Sequence, residues 1–182
     1  MFRQDFLCAH RLGIIALFFI LQAVAGQPSR GDDSPPYLQQ GSALGFGALA
    51  MITTSENWQQ IWAQPSRNVS FEFADSIPLG KKSYLLVLFS NPLLEGGQAK
   101  ILCDFEFIAP DGSLVNKTEP SVCFESGLSG PLTDLYLTEH TGVVYGETNE
   151  EAGIYTVNVG VKDENRGIRI LLTVQIEVVG SN

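Results

Sequence analysis

Residues 155–178 read YTVNVGVKDENRGIRILLTVQIEV, and their two-residue rhythm decides the fold. Tyr155, Val157, Val159 and Val161 alternate with Thr156, Asn158 and Gly160. Beyond Asp163-Glu164-Asn165-Arg166-Gly167, apolar residues hold every even position from Ile168 through Ile170, Leu172, Val174 and Ile176 to Val178. Successive side chains on a strand point to opposite faces, so each set shares one face. A polar, glycine-ended break between two such runs is a hairpin turn. The stretch therefore predicts a long antiparallel hairpin with one continuous buried face and a solvated turn at 163–167.

Working outward, the same period recurs. Ile101, Cys103, Phe105 and Phe107 alternate with Lys100, Asp104 and Glu106, and Val69, Phe71 and Phe73 with Ser70, Glu72 and Ala74. Tyr84–Phe89 (YLLVLF) is apolar without interruption, as expected of a strand buried on both faces. A short strand is expected around Val122–Phe124, and an interrupted one across 135–137 and 142–145. Breaks fall at Pro78-Leu79-Gly80, Asn91-Pro92, Gly96-Gly97 and Pro110-Asp111-Gly112, where proline presets φ and glycine accepts a positive φ. In 43–52 (ALGFGALAMI), Leu44, Phe46, Ala48, Ala50 and Ile52 fall on one side. Thr53-Thr54-Ser55 offers helix caps, Trp58, Ile61 and Trp62 share a helical face, and Pro65 stops the helix.

These patterns give an all-β chain: a single antiparallel β-sandwich of about seven strands over 67–182. Residues 43–66 add an apolar strand and one short helix packed on it. Residues 26–42, rich in Pro, Gly, Ser and Asp, are expected to form a flexible leader.

Glu151-Ala152-Gly153-Ile154-Tyr155-Thr156-Val157 resembles the D-x-G-x-Y-x-C corner of immunoglobulin-like domains. The resemblance implies an immunoglobulin-like or macroglobulin-like sandwich in which the tyrosine hydroxyl bonds back to the chain. Glu151 stands where that family has aspartate, and Val157 where it has the inter-sheet cysteine. A fold of this kind implies no function.

The N-terminus reads as an export signal. Arg3, His10 and Arg11 form a weakly basic start, diluted by Asp5; Leu12–Val24 is an apolar run, and Ala23-Val24-Ala25 suits a signal peptidase. Cleavage is expected after Ala25. The run is ~13 residues, against ~20 for a membrane-spanning helix. Cys8 precedes it, so Cys8 is not a lipid-anchor cysteine. The expected location is periplasmic or extracellular. After Ala25 the chain keeps Cys103 and Cys123, which in an oxidising compartment are expected to pair. Asn68 and Asn116 begin N-x-S/T triplets.

A net charge of −9 argues against nucleic acid and anionic membrane as partners. His140 is the one histidine after the signal, so any Ser-His-Asp or Cys-His arrangement must use it; it sits in what reads as an exposed turn. One histidine does not make a zinc site. Glu147, Glu150 and Glu151, and separately Asp163-Glu164-Asn165, are oxygen-rich, yet neither spacing matches a calcium loop. Glu139 and Glu147 are an arbitrary carboxylate pair. Gly45-Phe46-Gly47 and Gly96-Gly97 lack the strand-to-helix context of a phosphate loop. The expected function is an exported, non-catalytic module without cofactor that binds a protein partner. Trp58, Ile61 and Trp62 are either a plug on the core or a partner surface. The alternatives are a subunit that adds its 43–52 strand to a neighbour's sheet, or an exported hydrolase using His140.

Overall fold

The computed structural model describes residues 35–63, 70–73, 76–140, 142–145 and 151–180. The segments expected to be a signal peptide and, up to residue 34, a leader lie outside them, as do Asn68, Glu147 and Glu150. The described residues belong to one compact unit, Asp33–Asn182.

Among the described residues the regular secondary structure is strand apart from one short helix. It runs β1 (Leu38–Ala43), β2 (Phe46–Thr53), helix α1 (Trp58–Trp62), β3 (Ser76–Pro78), β4 (Lys82–Ser90), β5 (Ala99–Ile108), β6 (Leu114–Lys117), β7 (Ser121–Ser126), β8 (Tyr136–Leu137), β9 (Gly142–Tyr145), β10 (Gly153–Asp163) and β11 (Ile168–Val179). One sheet has the order β1-β2-β4-β8, with β9 beside β8 on the same edge of β4. The other has the order β3-β11-β10-β5-β6, with β7 on the edge of β5 that β6 also uses.

The final hairpin forms as its alternation requires. β10 and β11 pair in unbroken register from Gly153↔Val178 to Asp163↔Ile168. Val157, Val159 and Val161 and the even residues from Ile170 to Val178 are buried. They meet Phe46, Ala48, Ala50 and Ile52 of β2 and Leu85, Val87 and Phe89 of β4 in one core between the sheets. The alternate residues of β4, Leu86 and Leu88, face the other way and pack with Met51 and Trp58. This double burial is why β4 carries no polar alternation.

α1 lies on that outer face. Trp58 is 9% exposed, and half-buried Trp62, Phe71 and Tyr84 surround the same cluster. A helix of five residues has no stability of its own, so this packing is what holds it. Tryptophan emission of the isolated protein is therefore expected to be blue-shifted and to move red only with global unfolding. A red maximum in the folded protein would show Trp58 uncovered.

Cys103 and Cys123 form a disulfide between β5 and β7, with Cα atoms 5.6 Å apart and both residues buried. Replacing both by alanine should cost roughly 3 kcal/mol on the loop-entropy model, lowering Tm by about 10 °C for a domain of this size. Two titratable thiols per denatured chain, or an unchanged Tm, would contradict this.

The structure corrects several expectations. There are eleven strands among the described residues, in two sheets: one is wholly antiparallel, and the other is mixed because β3 runs parallel to β11. The disulfide is the Cys103–Cys123 pair expected; it joins neighbouring strands of one sheet and so is not the counterpart of the immunoglobulin bridge between sheets. The tyrosine corner does form locally: the Tyr155 hydroxyl donates to the Glu151 carbonyl at 3.1 Å. Residues 70–73 are not a strand, and the side chains of Thr53 and Ser55 take the backbone groups of Glu72. Thr53 Oγ1 donates to the Glu72 carbonyl at 2.6 Å, and the Glu72 N–H donates to Ser55 Oγ at 2.9 Å. Ser55 is thereby lost as a helix cap, and Asn57 stands at that position without a side-chain bond.

The leader, expected to be flexible to residue 42, is in strand from Leu38. Pro36 and Tyr37 fix its start by accepting N–H bonds from Gln175 and Ile52, and the Thr173 N–H donates to Gln39 Oε1 at 2.5 Å. Gly41 lets β1 come close, since a Cβ there would lie 2.9 Å from Ile170. Backbone and amide bonds, invisible to a hydrophobic count, order this segment. β2 in turn is paired on both edges, by β1 and β4. The 43–52 segment therefore has no free edge to lend a neighbouring chain.

Candidate functional site: a locked four-loop end

Four connections meet at one end of the two sheets: the β1–β2 turn at 44–45, the β4–β5 loop at 91–98, the β7–β8 loop at 127–135 and the β10–β11 turn at 164–167. Their centre is Asp163. Expected in a solvated turn, it is fully buried. Its carboxylate accepts N–H bonds from Leu93 (2.8 Å) and Arg166 (3.1 Å), and the Arg166 Nε at 3.3 Å. The Arg166 guanidinium then donates onward to the carbonyls of Leu44 (2.6 Å) and Asn91 (3.1 Å). Asn91 donates its side-chain amide to Gly45 and its backbone N–H to Leu132. Asn165 donates to the carbonyls of Leu93 and Gln98. Tyr136 closes the 127–135 loop, accepting from the Gly130 N–H and donating to the Pro131 carbonyl. A buried carboxylate is tolerated only when paired and hydrogen-bonded, and here its bonds fix loop backbones that no ladder holds. The groups considered for a cation at this turn are thus engaged with the protein's own donors and carbonyls.

The loops that this network holds carry exposed leucines. The backbones of Leu44, Leu93 and Leu132 are each bonded into it, yet their side chains are exposed, as are those of Leu94 and Leu135. Leu44 is the extreme, at 83% exposure. It also has φ +48°, followed by Gly45 at +87°. A two-residue hairpin with both φ positive favours Asn-Gly or Asp-Gly, and a leucine in the left-handed region is strained by about 1–2 kcal/mol. Leu44 therefore costs the fold both in conformation and in exposed apolar area. Its pattern had suggested the inward face of a strand; the hairpin puts the turn there instead.

The outer face of the β3–β11 sheet carries a second feature, a shallow depression of about 430 Å³. Arg169 pairs with Asp104 at 2.5 Å across Gly160, where any Cβ would collide with both side chains. Lys117 pairs with Glu106 at 2.6 Å, and this ammonium holds the Glu106 carboxyl below the ordinary carboxylate range. Thr173 bonds Asn158, and Gln175 bonds Thr156. The polar groups here satisfy one another, as on a solvated sheet face.

His140 lies elsewhere, half-buried rather than in an exposed turn. It lines an opening of about 520 Å³ with Ser121, Glu139, Asn116, Phe105 and Phe107. Among the described residues no hydrogen bond joins its ring to Ser121 or Glu139. Trp58, Ile61 and Trp62 stay together on α1, with Trp58 buried and the other two half-buried. Among the described residues no three His, Cys, Asp or Glu side chains converge as metal ligands, and no helix is long and apolar enough to cross a membrane.

The sequence patterns put Leu44 on a strand face and Leu135 in a strand, and mark Leu93, Leu94 and Leu132 in no way. The available signal was Leu44-Gly45, a two-residue connector just ahead of the apolar run 46–52 with the wrong residue in first place.

No family model and no curated protein matches the chain. Among solved structures it is similar to the C-terminal domain of Wzt, at TM-score 0.44 and 12% identity over 82% of this chain and 84% of that one. It is also similar to part of a family 123 glycoside hydrolase from Clostridium perfringens, at TM-score 0.36 and 10% identity over 79% of this chain and 28% of the other. A third likeness is to the Pseudomonas fluorescens alkylpurine DNA glycosylase AlkC, at TM-score 0.35 and 16% identity over 57% and 27%. The chain thus spans under a third of the length of these two enzymes, and likenesses this low carry no argument about activity.

Proposed function

We propose that this chain is an exported, non-catalytic binding module that holds a protein partner on its four-loop end. The observation that carries the reading is Leu44: a leucine held in a strained conformation, almost fully exposed, on a backbone fixed by an arginine paired with a buried carboxylate. Strain and exposed apolar surface both oppose folding, so their concentration at one rigid tip is what a contact outside the chain would require. Binding residues commonly sit on loops positioned by a rigid scaffold, and fixing them beforehand lowers the cost of association. Export is supported by the N-terminal signal pattern and by the buried Cys103–Cys123 bridge.

In native electrophoresis of envelope extracts, the parent protein should migrate in a complex from which Leu44→Asn releases it as a folded species. A variant that stays in the complex would contradict the loop-end reading. N-terminal sequencing should find the mature chain starting at or near Gly26; an uncleaved cytoplasmic protein would contradict export.

A second reading, an exported hydrolase, has one observation in its favour: Ser121, Glu139 and His140 line one opening. A hydrolytic activity toward any ester, peptide or glycoside substrate that disappears in His140→Ala would establish it over the binding reading.

A further inference from the structure

Resting on the loop-end reading, we propose that the partner is a basic protein surface: an apolar pocket that receives Leu44, rimmed by lysine or arginine. The charges around the leucines point to this. Glu95 and Asp134, exposed on the loops that carry Leu93, Leu94, Leu132 and Leu135, have no ion pair among the described residues. Every nearby cation is already engaged: Arg166 with Asp163, Lys162 with Glu164, Lys100 with Glu125. The tip is therefore apolar with an acidic rim, on a chain of net charge −9.

That combination discriminates among occupants. A second copy would bring the same acidic rim against it, and like charges across an interface oppose docking. An anionic bilayer would repel it too, and membrane-surface anchors use Trp, Tyr, Lys and Arg. The four loops contain no aromatic residue, and their one basic residue is the occupied Arg166. A basic protein rim attracts Glu95 and Asp134, which sets register and speeds encounter. Leu44 protrudes from a turn, so its receptor is concave.

The test uses the full chain in its own cells, with a photo-reactive phenylalanine analogue in place of Leu44 and, as control, in place of Leu171, exposed on β11 outside the four loops. The expected result is a protein adduct from position 44. The purified pair should then lose affinity about tenfold between low and high salt, as screened charges predict. Glu95→Gln with Asp134→Asn should weaken the complex at low salt and flatten that dependence. The purified protein should not sediment with phosphatidylglycerol–phosphatidylethanolamine vesicles. An adduct of twice the chain mass, a lipid adduct or vesicle binding, or a protein complex indifferent to salt, would overturn the basic partner and leave the loop-end site standing. No adduct from position 44, whatever position 171 gives, would overturn both.

Discussion

Val159→Asp is expected to abolish cooperative folding. Val159 is fully buried at the centre of β10, between Leu172 of β11 and Phe105 of β5. The core cluster it joins draws side chains from both sheets, and Asp163, the buried carboxylate that Leu93 and Arg166 satisfy, lies at the far end of the strand. An unpaired carboxylate placed there costs several kcal/mol, against roughly 5–15 kcal/mol of total stability for a domain. Circular dichroism during heating is the measurement. A variant that melts cooperatively within a few degrees of the parent would mean that the face or register of β10 is wrong.

Asp163→Ala should have the next largest effect. It removes the acceptor of three N–H bonds and leaves Arg166 without its counter-charge. Breaking a buried pair costs about 3–5 kcal/mol. Arg166 is partly exposed, which screens the pair and sets the expectation near 3 kcal/mol, or about 10 °C in Tm. The loss should also be local. Amide exchange should accelerate at Leu93, Asn91 and the 164–167 turn, while the middle of β10 and β11 stays protected. A variant with the parent's Tm and exchange pattern would show that the loops are held by something other than this carboxylate.

The parts of the fold legible in sequence were those set by side-chain burial. Alternation in Tyr155–Val161 and Ile168–Val178 gave the hairpin with its buried face, and the unbroken run Tyr84–Phe89 gave a strand covered on both sides. What was hidden depends on backbone pairing and on bonds between residues remote in sequence. Leu38–Ala43 has too little apolar pattern to announce a strand, yet it pairs fully with β2. Phe71 and Phe73 have strand period, but Thr53 and Ser55 bind the backbone between them. β6 and β7 share one edge of β5, and β8 and β9 one edge of β4, so a count of apolar runs undercounts strands.

The site was hidden for a related reason. Asp163-Glu164-Asn165-Arg166-Gly167 has the composition of any solvated turn. Only the packing of 91–98 against it makes Asp163 a buried acceptor and Arg166 a clamp on the Leu44 carbonyl. Leucines in Gly- and Pro-rich loops look like core residues until the loops are placed, and an exposed leucine is informative only when several share one rigid end.

The most direct test is the melting temperature of Leu44→Asn. Asparagine accepts the left-handed conformation of this turn and leaves no apolar side chain in water. If Leu44 is kept at the fold's expense for a contact outside the chain, the variant should gain about 1 kcal/mol and melt about 3 °C higher than the parent. A lower Tm would mean that the leucine packs within the chain, and would contradict its role as a binding anchor.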